Sequence, residues 1–203
     1  MGAPYCSPVP TTRLETFADG VFAIAVTLLV LDIRLTTGSA GGTLSHRLGD
    51  AWPACVAYAL SFITIGIMWA NHHAIFDLIE RTSHGLIVAN LLLLMFVAFL
   101  PFPTKVLGDY LREGGHDQHI AAVFYSGTFT VTAAIYNMLW QTAAWKNRLI
   151  APGREAEAAA VTRAYRYGVP VYLLATLLGF WNVPVSLAVN FSLAAFYMLP
   201  RRA

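Results

Sequence analysis

Trp69, Asn71, His72 and His73 stand together in the string WANHH, the clearest cluster of polar side chains at the end of an apolar run in this 203-residue chain. Imidazoles bind metals and relay protons. Adjacent helical residues point about 100° apart, however, so His72 and His73 do not grip one ion without ligands from elsewhere. Hydrogen bonding to neighbouring helices is the simpler reading of the group, with a metal or proton-relay role as its competitor. Asn90, Asn137, Gln141, Asn182 and Asn190 interrupt apolar runs in the same way and carry the same two readings. The chain has no Gly-rich phosphate loop and none of the patterns G-x-S-x-G, H-E-x-x-H or C-x-x-C. Those are the common signatures of catalysis and metal binding, and the sequence reads as a non-enzyme without a metal or organic cofactor.

A second pattern is organised along a helix face. In RLETFADGVFAIAVTLLVLDIRL, Arg13 to Leu35, the residues Ile24, Leu28 and Leu31 share one side at helical spacing, with Thr27 beside them. Such a stripe is either a packing seam or the wall of a pathway. Asp19 and Asp32 bracket it, one near each end of the run, where carboxylates stay hydrated and attract cations. Asp32, and Asp50 further on, serve equally well as interfacial caps or as cation attractors.

The elements that must position these groups follow from composition. Hydrophobic residues make up 57% of the chain and charged residues 12%, and the mean hydropathy is +0.59, values of a protein dissolved in lipid. Six apolar blocks run approximately 14–35, 51–71, 86–107, 120–145, 161–180 and 183–199, each near the roughly 20 residues that an α-helix needs to cross hydrocarbon. A transmembrane barrel would alternate apolar and polar residues, whereas LIVANLLLLMFVAFL is continuous. Pro101 and Pro103 mark a frayed or kinked end of the third block, and Gly168 with Pro170 a similar point early in the fifth. The expected fold is all-α, a polytopic membrane protein with six transmembrane helices. Residues 1–12 form a flexible tail and 13–203 a single six-helix domain.

Lys and Arg set the orientation. With six spans, nine of them fall on the side of the termini and four on the other, which places both termini in the cytoplasm of a multi-pass plasma-membrane protein. That asymmetry accounts for the charge without any nucleic-acid partner. Cys6 and Cys55 lie too differently in this layout to form a disulfide within one chain.

The string RLETFADGVFAIAVTLLVLDI resembles the first-helix signature of the transmembrane protein 175 family of potassium channels, R-x-x-x-F-S-D followed by G-V-F-A-I-A-x-T-L-L-V-L-D/E. Arg13, Phe17 and Asp19 match the short motif, and Gly20 to Ala25 and Thr27 to Leu31 match its extension. WANHH and the six blocks fit the bacterial members. One departure stands out: Ala18 occupies the serine position, so any hydrogen bond that the serine makes to a neighbouring helix is absent or replaced here.

The resemblance implies a homotetramer in the lipid bilayer, with the first helix of each subunit lining a central pore and K⁺ as the permeant ion. It carries the pore constriction onto Ile24, Leu28 and Leu31 and a polar layer onto Thr27, with Asp32 drawing cations at the outer mouth. Arg13, Phe17 and Asp19 would instead pack the cytoplasmic end of that helix, against Trp69, Asn71 and His73. A neck of apolar rings gates by dewetting, so cation over anion selectivity and a modest preference for K⁺ over Na⁺ are expected. A proton channel and a secondary transporter are the alternatives.

Overall fold

Apolar runs interrupted by proline, glycine and short polar strings become helices with breaks where the backbone loses a donor or gains freedom. In a computed structural model of the chain, residues 10–33 and 43–198 are described, and they are all-α apart from one isolated antiparallel bridge between Ile79 and Ile150. Residues 1–9, most of the expected tail, lie outside that set. So do 34–42, including Arg34 and the end of the first apolar block, and the last five residues with Arg201 and Arg202.

The helices are α1 (Thr11–Leu28), α2 (Leu44–Asp50), α3 (Trp52–Phe76), α4 (His84–Phe99), α5 (Pro101–Tyr110), α6 (Gly115–Ala144), α7 (Glu155–Tyr165), α8 (Gly168–Leu178) and α9 (Val183–Met198). α1 starts at Thr11, inside the stretch expected to be tail, and ends in a tighter 3-10 turn at Leu29–Asp32. Among the described residues, each of the six apolar blocks is mainly helical. The third is divided at Leu100, where Pro101 opens α5, and the fifth at Arg166–Tyr167, just before Gly168. Among the described residues, three segments are by length and composition long and apolar enough to cross a membrane, Thr11–Asp32, Trp52–Phe76 and His84–Tyr110, and Val183–Phe196 of α9 is a shorter apolar helix. These helices place the chain in a bilayer. The short α2, in what reads as a plain connection, is capped by Thr43, whose hydroxyl accepts from the His46 N–H at 3.4 Å.

Without water to drive helices together, association rests on close packing and interhelical hydrogen bonds. Both are present. A Cβ on Gly108 would meet the Ala54 Cα at 3.1 Å, so glycine there permits the approach of α5 to α3. The Ser61 hydroxyl pairs with Thr104 at 2.7 Å and Tyr125 at 3.0 Å, joining α3, α5 and α6. On the other side of α6, Asn190 Nδ2 donates to Ser126 Oγ at 2.8 Å, and Ser126 pairs with Ser186 at 3.1 Å. At one end the α3–α4 and α6–α7 connections are clipped together. There Arg154 reaches both the Asp77 carboxylate and its carbonyl at 2.8 Å and also grips Glu157.

The candidate pore helix and its scaffold

α1 has two faces of opposite character. Leu14, Ala18, Phe22 and Ala25 on the helix, followed by Leu29 in the 3-10 turn, are buried against the chain's own bundle, where α1 packs on α3 and α4. Arg13, Phe17, Gly20, Ile24, Thr27 and Leu28 occupy the opposite face, within about 100° of arc, and all are exposed in the single chain. Ile24 is 61% exposed, Leu28 42% and Leu31 64%. The structure thus brings the stripe residues together on one uncovered side.

The 3-10 turn refines the register of the stripe. In such a turn residues i and i+3 eclipse, so Leu31 sits almost directly above Leu28, rather than rotated by about 60° as in an α-helix. Thr27 Oγ1 donates to the Ile24 carbonyl at 2.9 Å. Its proton is therefore engaged within the helix, and the oxygen lone pairs are what it offers outward, the polarity a cation or the oxygen-inward shell of its waters requires.

Beyond Leu31, Asp32 is half-buried and makes no ion pair among the described residues. Asp50 differs. Arg112 Nη1 donates to one carboxylate oxygen and His46 Nδ1 lies 2.9 Å from the other. The Arg112 hydrogen bond holds the Asp50 carboxyl below the usual carboxylate range. Asp50 is thereby engaged in joining α2 to the end of α5, and of the two Asp32 is the one without an ion pair among the described residues.

The scaffold residues divide. Trp69 Nε1 donates to Asp19 Oδ1 at 2.8 Å, so this pair links α3 to α1. His73 is exposed and stacks on Trp69, with ring centroids 6.4 Å apart. Asn71 Nδ2 bonds the Ile67 carbonyl of its own helix at 2.9 Å and does not reach α1. Arg13 and Phe17 project outward, and the Arg13 side chain makes no hydrogen bond or ion pair among the described residues.

The residue that sequence reasoning left out of the scaffold is His72, which is 2% exposed. Its Nε2 meets Asn90 Oδ1 of α4 at 2.8 Å. Its ring stands edge-on to Phe22 of α1 at 5.6 Å and stacks on Phe76 at 4.3 Å. His72 therefore joins α1, α3 and α4. Its signal was periodic: His72 lies seven residues after buried Ile65 and four before buried Phe76, on the inward side of α3. Among the described residues no three His, Cys, Asp or Glu side chains gather as a metal site. Ala18 has no exposed surface at all, so a serine there would need a partner inside the bundle.

The fold and this arrangement define a helical membrane protein whose N-terminal helix is held by two neighbours and bare along its outward face. Residues 13–101 match the family described as endosomal/lysosomal potassium channel TMEM175. A protein named as a potassium channel from Chamaesiphon minutus is 44% identical over 197 residues, covering 95% of this chain and 96% of that one. Another from Streptomyces collinus is 42% identical over 186 residues, covering 91% and 90%. The crystal structure of a lysosomal potassium-selective channel TMEM175 homolog from Chamaesiphon minutus superposes with a TM-score of 0.83 at 42% identity, covering 92% of this chain and 95% of its own. A Gallus gallus relative named as an endosomal/lysosomal proton channel is 33% identical over 145 residues, 67% of this chain but 28% of its own length. The chain belongs to the TMEM175 family, a family of channels and not of enzymes.

Proposed function

We propose that the chain is one subunit of a homotetrameric, potassium-permeable cation channel of the plasma membrane, with α1 of each subunit lining a central pore. The observation that carries this reading is the bare stripe of Ile24, Leu28 and Leu31 on a helix whose other face is fully packed. Lipid alone would cover such a face. Three things favour a pore over a lipid contact: the outward-facing oxygen of Thr27 within the stripe, the unpaired Asp32 just beyond it, and relatives named as potassium channels. The rest of residues 13–203 forms the single domain that holds α1 in place. Six spans with both termini in the cytoplasm agree with the distribution of Lys and Arg.

The gate follows from the side chains. Rings of Ile24, Leu28 and Leu31 narrow the neck until water leaves it, and a dry neck stops ions without a moving plug. Widening readmits water. There is no carbonyl cage to replace a hydration shell, so the neck discriminates by size and dehydration, passing cations drawn by Asp32 and preferring K⁺ to Na⁺ only modestly. Arg13 and Phe17, bare in the single chain, lie where neighbouring subunits meet, while Asp19 and Trp69 fix the helix from within.

The name of the vertebrate relative favours a second reading, proton conduction along a water wire through the same neck. The test of both is ion flux from the purified protein in liposomes. Cation flux driven by a K⁺ gradient supports the channel. Proton flux that persists with K⁺ removed, and no K⁺ flux, selects the second reading.

A further inference from the structure

Behind the stretch of α3 that carries Trp69 and His72, a half-open crevice of about 70 Å³ lies between α3, α6, α8 and α9. None of the residues that line it is charged, and none belongs to α1. Its apolar wall is Phe129, Ala133 and Ala194. The hydroxyls of Thr64 and Thr132, which also line it, already donate to the carbonyls of Leu60 and Thr128 at 2.7 Å. At the end nearer the α3 terminus stands Asn71, whose Nδ2 is engaged with Ile67 and whose Oδ1 takes no hydrogen bond among the described residues.

That combination selects a class of ligand. A water in the crevice wants two to four polar partners and finds mostly carbon. An acyl chain carries no donor for the amide oxygen. At about 10–15 Å³ of such space for one water, the crevice has room for roughly five to seven water-sized bodies, enough for a hydroxyl head and its first few carbons. We infer that the crevice binds a short-chain alcohol, its hydroxyl donating to Asn71 Oδ1, its first carbons against Ala133 and Phe129, and any longer tail leaving by the open side into lipid. Binding at this place is independent of whether α1 lines a pore.

The test is photolabelling of the intact protein in phosphatidylcholine vesicles with a diazirine-bearing butanol, mapped by peptide mass spectrometry. Labelling of residues 64–71 and 129–137 should saturate with probe concentration and be competed by excess unlabelled butanol. Ala133→Phe, which fills the crevice, should lose that saturable component. Asn71→Leu should weaken it roughly fivefold, as expected for one lost neutral hydrogen bond. Labelling in these segments that rises linearly with probe and resists competition, as at the exposed Leu91 and Met95, would overturn the assignment. The wild-type saturation and competition decide the matter even where a variant fails to fold.

Discussion

Trp69 of α3 and Asp19 of α1, fifty residues apart in sequence, are joined by an indole N–H donating to a carboxylate oxygen at 2.8 Å. With the edge-on contact of Phe22 and His72 three residues further along each helix, it fixes both the height and the rotation of α1 on α3. Rotation is what decides which side chains α1 turns outward.

Trp69→Phe keeps an aromatic ring but removes the donor together with part of the ring that stacks on His73. The bond is exposed, so the expected loss is small, about 0.5–1 kcal/mol. A lowered unfolding midpoint in detergent should register it, and Asp19→Asn combined with Trp69→Phe should cost no more than the larger single change. Fully additive losses would mean that the two side chains act separately.

Leu28→Ala or Leu31→Asn should raise cation flux into liposomes, because the first widens the neck and the second wets it. The same changes should leave the unfolding midpoint nearly unaltered, since both side chains are already exposed in the single chain. Unchanged flux for both would remove the stripe from the ion path.

Arg13→Ala should leave helical content intact and reduce the assembled species seen by size-exclusion, because the guanidinium has no partner among the described residues of its own chain. Normal assembly with altered ion selectivity would put Arg13 in the pathway instead.

The Asp50 clasp gives a pH prediction. Its folded pKa lies below the usual 3.8, first because of the Arg112 hydrogen bond. The stabilisation is therefore fully present above that usual value and is lost only as pH falls through the lower folded one. Hydrogen exchange over residues 44–50 should show no dependence on Asp50 protonation between pH 5 and 8. In Asp50→Asn the same amides should exchange faster across that range. An acid-induced opening well above pH 4 in the wild type would contradict the pairing.

Much of the architecture was legible because lipid demands it: continuous apolar runs had to be helices, and Pro101 marked a break near the end of the third, though as a frayed or kinked end and not as the start of the new helix found there. The bare stripe was also visible as spacing, Ile24 to Leu28 to Leu31. Which of two adjacent histidines faces inward was harder. His72 and His73 are chemically identical, and only the phase set by Ile65 and Phe76 separates the interhelical linker from its exposed neighbour. Asn71 shows the opposite limit: an amide inside a span suggests a bridge between helices, yet it satisfies itself on the carbonyl four residues back. The partner of Arg13 could not be read at all; in the proposed tetramer it would stand on a neighbouring chain, and such a contact leaves no trace in the pattern of one. The change of winding at Leu29 was equally silent, there being no proline or glycine to announce it.

That change of winding turns four residues into a screw. Rewinding Leu29–Asp32 from 3-10 to α geometry would shorten the end of the helix by about 2 Å and swing Leu31 by about 60° away from the line of Leu28. A displacement of this kind needs no movement of Phe22, His72 or Trp69. In the proposed tetramer the outermost ring of the stripe would turn aside while the shaft that carries it stays still.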